Sequence, residues 1–130
     1  MNTSTKPEAK DMETILVVED DEDVRQVTML ILSRLGYKVL EAEDGPTALK
    51  LLDKEGISVD LVFSDVILPS GMSGVDLANE LKRHYPHIKV LLTSGYPKKV
   101  IGNEDTGFML LRKPYKKADL AKAVRMALDQ

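Results

Sequence analysis

The residue types in this chain point to chemistry at Asp65. It sits in Leu61-Val62-Phe63-Ser64-Asp65-Val66-Ile67-Leu68-Pro69, at the end of an apolar run with the character of a buried strand. A second acidic cluster, Glu19-Asp20-Asp21, ends another such run, Thr14-Ile15-Leu16-Val17-Val18. If those two strands are parallel neighbours, their terminal carboxylates converge in one crevice. Like charges a few ångströms apart cannot all ionise without a compensating cation. Bound Mg²⁺ resolves the conflict, held by oxygen ligands and completed by water and a phosphoryl group. The pattern therefore predicts a metal-assisted site with the Asp65 carboxylate as nucleophile.

Such a site needs elements that bring distant residues together. Apolar strands and amphipathic helices alternate five times along the chain. Strands are expected over 14–18, 38–42, 60–64, 88–93 and 108–111. The first helix is expected over 23–35, with Val24, Val27, Ile31 and Leu35 as its inward stripe and Gly36 as its stop. Asp44-Gly45-Pro46 turns into a second helix carrying Ala48, Leu51 and Leu52. A third follows the Pro69–Gly74 loop to about residue 84, carrying Val75, Leu77, Ala78 and Leu81, and is stopped by Pro86. The last runs over 116–128, with Leu120, Val124 and Leu128 inward. Between Pro97 and Gly107 the fourth helix is expected to be short or irregular, since Val100-Ile101 is followed by Gly102-Asn103.

This alternation implies an α/β fold with a parallel sheet covered by helices on both faces. The first, third and fourth strands are the most continuously apolar, so they should be central. Right-handed crossovers then favour a doubly wound, five-stranded sheet, with its ligand crevice at the carboxyl ends of the strands. Glu19, Asp20, Asp65, Thr93 and Lys113 all fall at that end.

Length and composition narrow the class. With 130 residues the chain is long enough for one domain with its own core. The net charge of −3 comes with no long basic run, so no nucleic-acid footprint is expected. The absence of cysteine excludes disulfides and thiolate metal sites, and two histidines make a His-rich zinc site unexpected. No apolar stretch could span a bilayer. Residues 1–13 are polar, lack a signal peptide's apolar core, and read as a flexible tail or linker before a domain over 14–130. A cytoplasmic location without membrane insertion is expected.

The ordered constellation of two acids after the first strand, one after the third, a hydroxyl ending the fourth and Lys113-Pro114 after the fifth resembles the receiver domain of two-component response regulators. The matching stretches are Ile15-Leu16-Val17-Val18-Glu19-Asp20-Asp21, Asp65-Val66-Ile67-Leu68-Pro69, Leu92-Thr93-Ser94-Gly95 and Leu111-Arg112-Lys113-Pro114-Tyr115. The resemblance covers about residues 14–129. It implies a flavodoxin-like strand order 2-1-3-4-5. It makes Asp65 the phospho-acceptor, charged by a histidine kinase or phosphotransfer protein. Asp20 becomes a Mg²⁺ ligand, with Glu19 acting through water and the Ile67 carbonyl adding another oxygen. Lys113 would pair with Asp65 and then with the phosphoryl oxygens, Thr93 would sense the phosphoryl group, and the Lys113–Pro114 bond would be cis. Asp21, one position beyond the usual pair, is assigned to the start of the first helix.

The implied role is a conformational switch, not an enzyme, acting on a partner through the face from the fourth to the fifth helix. A phosphatase of the haloacid dehalogenase type would need an acid two residues after the nucleophile, where this chain has Ile67. A flavodoxin-like cofactor protein would need a phosphate-cradling loop after the first strand, where Glu19-Asp20-Asp21 would repel an anion. Taken singly, the acids could be helix caps, Thr93 a strand-end hydroxyl and Lys113 a solvated lysine; their common register argues for the site. His84 and His87 flank Tyr85-Pro86 and are expected on the surface.

The sequence departs from the family pattern in three places. The loop Pro69-Ser70-Gly71-Met72-Ser73-Gly74 is one residue longer than the usual Pro-x-Met-x-Gly. With Leu92-Thr93-Ser94-Gly95-Tyr96-Pro97, it looks most like receivers attached to hybrid sensor histidine kinases. Leu110 stands where an aromatic switch residue is usual and is expected to stay largely buried. The fourth helical segment is short.

Overall fold

A computed structural model describes residues 12–95 and 107–130. Its elements run β1 (Thr14–Val18), α1 (Glu22–Arg34), β2 (Lys38–Ala42), α2 (Gly45–Leu52), β3 (Leu61–Asp65), α3 (Gly74–His84), β4 (Lys89–Ser94), β5 (Met109–Arg112) and α4 (Lys117–Leu128). All pairings are parallel and the strand order is β2-β1-β3-β4-β5, as expected. The fourth helical segment expected between Pro97 and Gly107 lies, except for Gly107, outside the described residues, as do residues 1–11 of the expected tail. The α4 label therefore belongs to the helix expected last.

Side-chain alternation along the strands builds a core on each face of the sheet. Ile15, Val17, Leu61, Phe63 and Leu91 pack with Leu32 of α1 and with Leu120, Val124 and Ala127 of α4. Leu16, Val18 and Val62 pack on the other face with Ala48 and Leu52 of α2 and with Leu77 and Leu81 of α3. Burial on both faces explains why residues 15–18 of β1 and 61–63 of β3 are continuously apolar. At the sheet's lower end, Glu13 accepts two hydrogen bonds from the Arg125 guanidinium, at 2.9 and 3.0 Å, and so ties the start of β1 to α4.

The helix caps follow from the sequence. Asp21 accepts from the Val24 N–H, Asp44 from Thr47, and Ser73 with Asp76 forms a capping box. Gly36 follows α1 at φ 101°, the left-handed conformation that a helix stop of this kind requires.

The expected inward stripe of α1 is corrected. Val24 and Val27 are exposed, at 38% and 58%, and the buried residues of this helix are Thr28 and Leu32. Ile31 and Leu35 do pack on the core, from partly buried positions. A threonine can take the inward place because its hydroxyl is satisfied, donating to the Val24 carbonyl at 2.9 Å. Apolar periodicity by itself does not register that compensation. Leu110, expected to be largely buried, is only partly so. It lies on the edge strand β5 and packs against the cluster of Val66, Ala78 and Leu92.

Candidate functional site

Four successive strands deliver the candidate groups to one end of the sheet. Val18 is in register with Ser64, and Asp65 with Thr93, so the residues after β1 and at the ends of β3 and β4 are neighbours. The Lys113 N–H donates to the Ser94 carbonyl at 2.9 Å, which continues the β4–β5 ladder and fixes the root of the lysine. The Lys113–Pro114 bond is cis, as expected.

Lys113 Nζ lies 2.9 Å from Asp65 Oδ2 and 3.5 Å from Glu19 Oε1. The ammonium thus sits between acids that come from two different strands. The other Asp65 oxygen, Oδ1, accepts from the Ile67 N–H at 3.1 Å. Glu19 is buried, and its Oε2 accepts from the Asp21 N–H at 3.0 Å. Asp20 is exposed, and Ile67, two residues past Asp65, is 49% exposed.

The electrostatics show crowded acids held by one internal cation. Burial pushes the Glu19 carboxyl above its ordinary value; the Asp21 N–H and Lys113 oppose the rise, while Asp65 and Asp20 add to it. Burial alone would disfavour the Lys113 ammonium. The hydrogen bond and charge of Asp65, joined by the charge of Glu19, outweigh that and hold Lys113 above the ordinary lysine range.

Thr93 is 3% exposed, and its Oγ1 is a buried polar atom with no hydrogen-bond partner among the described residues. Its backbone is well held, since its carbonyl accepts from the Val66 N–H at 2.9 Å. Buried hydroxyls are normally satisfied, so this one is available to an incoming oxygen.

The donor set fits Mg²⁺ in kind, because carboxylates and backbone carbonyls are the ligands this hard cation takes. The mutual strain between Glu19, Asp20 and Asp65 is what a divalent cation would relieve. Among the described residues, however, no three acidic or histidine side chains already converge as a ready-made cation cage. In this arrangement Lys113 supplies the counter-charge for Asp65 and Glu19.

A family model described as the response regulator receiver domain matches residues 15–125. The chain belongs to this family. Sensor kinase CckA of Brucella abortus is 37% identical over 120 residues, which make up 90% of this chain and 13% of that kinase. The receiver thus spans only a small part of that relative. The crystal structure of the receiver domain of hybrid histidine kinase CckA superposes with a TM-score of 0.74 at 36% identity, covering 88% of this chain and 98% of that one. The response regulator TrrA of Thermotoga maritima, in complex with Mg²⁺-BeF, superposes with a TM-score of 0.77 at 27% identity, covering 89% of this chain and 99% of that one. The likeness to a hybrid-kinase receiver agrees with the sequence resemblance. No helix among the described residues is long and apolar enough to cross a membrane.

Supporting residues around this receiver's acidic end escaped sequence reasoning. Arg25, one turn into α1, donates from a guanidinium nitrogen to the Glu19 carbonyl at 2.8 Å and pairs with Glu41 at 2.7 Å. Tyr115 packs edge-on against Phe63, with ring centroids 6.2 Å apart, which anchors the segment just after Lys113. Gly74 has no room for a side chain, since a Cβ there would lie 2.1 Å from the Asp65 carbonyl oxygen. The sequence signals were an arginine four residues after the acids and an aromatic residue after Lys113-Pro114, neither of which is specific without the fold.

Proposed function

We propose that this receiver domain is a phosphorylation-dependent switch in a two-component phosphorelay, with Asp65 as the phospho-acceptor. The observation that carries the reading is the Asp65–Lys113 pair at 2.9 Å, beside the unpartnered Thr93 hydroxyl. One Asp65 carboxylate oxygen forms the bond to phosphorus as the bond to the donor's histidine nitrogen breaks. Lys113 is placed to follow the developing negative charge from the carboxylate to the phosphoryl oxygens. The Thr93 hydroxyl donates to one of those oxygens and so gains the partner it lacks at rest. Phosphoryl transfer needs mainly positioning and charge neutralisation, which these groups provide.

Asp20, Asp65 and the Ile67 carbonyl would hold Mg²⁺, with Glu19 contributing through water. When bound, Mg²⁺ neutralises the clustered acids and the transferring phosphoryl group. The Mg²⁺-BeF complex of TrrA supports this reading by similarity. The donor is a histidine kinase or a histidine phosphotransfer protein, and the output is a change of shape, not turnover of a substrate. A downstream protein would be met by the face that ends in α4, where Met126 is 56% exposed.

Treatment with acetyl phosphate and Mg²⁺, followed by intact-mass measurement, tests the proposal. The wild-type chain is expected to gain one phosphoryl group and Asp65→Asn none, because the amide keeps the shape but is not a nucleophile. A phosphoryl gain that persists in Asp65→Asn overturns the assignment.

A further inference from the structure

The loop between Asp65 and α3 carries an extra residue and is fastened at its tip to the start of α2. Its neck is closed by the Gly74 N–H donating to the Val66 carbonyl at 2.7 Å, with the Gly74 Cα pressed against the Asp65 carbonyl. Its tip passes through Ser70 and Gly71 at φ 71° and 76°. The left-handed conformation is disfavoured for serine, so this tip needs contacts that hold it. Two are present. The Ser70 hydroxyl donates to Asp44 Oδ2 at 3.1 Å, while Asp44 Oδ1 accepts from the Thr47 N–H at 2.8 Å as the cap of α2. Met72 then lies over Gly45 so closely that a Cβ there would come within 2.4 Å of the Met72 Sδ.

We infer that the Asp44–Gly45 corner, acting on Ser70 and Met72, is a clamp that positions the Asp65 loop and with it the peptide of Ile67. The inference rests on the reading of Asp65 as phospho-acceptor and of the Ile67 carbonyl as a metal-facing oxygen. Ile67 lies midway between the two fastened points, Asp65 and Ser70, and its N–H already donates to Asp65 Oδ1. A loop closed at its neck and pinned at its tip leaves the Ile67 peptide little freedom to rotate. Released at the tip, the same peptide can turn, and the orientation of Asp65 and the donated carbonyl oxygen are lost together. Asp44, Gly45, Ser70 and Met72 are thus positioning residues, which act through the loop. The extra residue in the loop supplies the reach to this corner.

The test uses the full chain with Ser70→Ala, Gly45→Ala, Met72→Ala and the Gly45→Ala/Met72→Ala pair. In the metal-free protein, amide hydrogen exchange of Ile67 read by NMR reports its bond to Asp65. In parallel, Mg²⁺ titration and the rate of phosphorylation by acetyl phosphate report the assembled site, and thermal melting reports the fold. Ser70→Ala and Gly45→Ala are expected to speed Ile67 exchange and to weaken Mg²⁺ binding by about 10-fold, as loss of a supporting shell does. Melting should change little. The two substitutions at the Gly45–Met72 contact should be non-additive, the pair losing less than the sum of the singles. If Gly45→Ala does not fold, Ser70→Ala, which removes one exposed hydroxyl, decides alone. Unchanged Ile67 exchange and Mg²⁺ affinity in Ser70→Ala overturn the clamp, as do strictly additive effects at Gly45 and Met72. A wild-type chain that neither binds Mg²⁺ nor takes phosphoryl defeats the functional reading instead, and Ile67 exchange in the metal-free variants still decides the clamp.

Discussion

At the scale of single residues, Thr93 carries the buried side-chain oxygen that lacks a hydrogen-bond partner among the described residues. A buried hydroxyl with no partner carries the full cost of its lost hydration, about 1–3 kcal/mol. Valine has nearly the same shape without that cost. Thr93→Val is therefore expected to stabilise the resting domain by about 1 kcal/mol in urea denaturation, while removing the group proposed to meet the phosphoryl oxygen. A destabilised variant would mean that the hydroxyl is satisfied after all. Asp20 offers a second test. It is exposed and raises the Glu19 carboxyl with Asp65, so Mg²⁺ should raise the melting temperature of the wild type and leave Asp20→Ala unmoved. An equal response in both proteins removes Asp20 from the proposed ligand set. The Asp65–Lys113 pair was legible in sequence because both residues sit at strand ends in register with the acids after β1. The lack of a partner at Thr93 was not, since satisfaction of a hydroxyl depends on atoms that only the packed fold brings near it.

At the scale of elements, most boundaries followed from apolar periodicity and turn chemistry, and the central place of β1, β3 and β4 followed from their apolar character, while the full strand order came with the family resemblance. The inward face of α1 was misread because Val24 and Val27 look like core while Thr28 does not. The helix instead buries Thr28 through a bond to its own backbone, which hydropathy cannot register. The long β3–α3 loop was visible as an insertion, but its attachment to α2 was not, because Asp44 and Ser70 are 26 residues apart. Asp44 also makes α2 sensitive to pH. Its carboxyl is held below its ordinary value, chiefly by Thr47 at the cap, with Ser70 helping. A carboxyl lowered in the folded state adds stability that is present above its unfolded pKa and lost as pH falls through its folded one. Asp44→Ala should therefore cost about 1 kcal/mol at neutral pH, in line with loss of a helix cap, and less at a pH below the carboxylate range. Urea denaturation at both pH values checks this, and a cost that does not shrink in acid would assign the effect to packing instead of charge.

At the scale of the whole molecule, the site exists only while the sheet does. Its acids follow β1 and end β3, its hydroxyl is on β4 and its lysine follows β5, so no local segment can assemble it. Anything that binds this constellation binds the native state alone and must stabilise the entire domain. At a hundredfold excess over its dissociation constant, BeF₃⁻ with Mg²⁺ should raise the unfolding free energy by about 2.7 kcal/mol. Lys113 separates two effects here. Before any ligand is added, Lys113→Met leaves Asp65 and Glu19 without their shared cation, which should lower stability at neutral pH by about 1–3 kcal/mol. The sign follows from the raised Lys113 value. Its contribution is complete below the lysine range and fades only as pH rises through the folded value, so it is fully present at neutrality. Mg²⁺ alone should then stabilise Lys113→Met at least as well as the wild type, because it replaces the missing positive charge between the acids. BeF₃⁻ should add little further, because the group that would meet its negative charge is gone. Melting curves of both proteins, taken without ligand, with Mg²⁺ and with Mg²⁺ plus BeF₃⁻, give all of these shifts. A BeF₃⁻ increment as large in Lys113→Met as in the wild type would place Lys113 outside the phosphoryl-binding group and leave it only its role as the resting counter-charge.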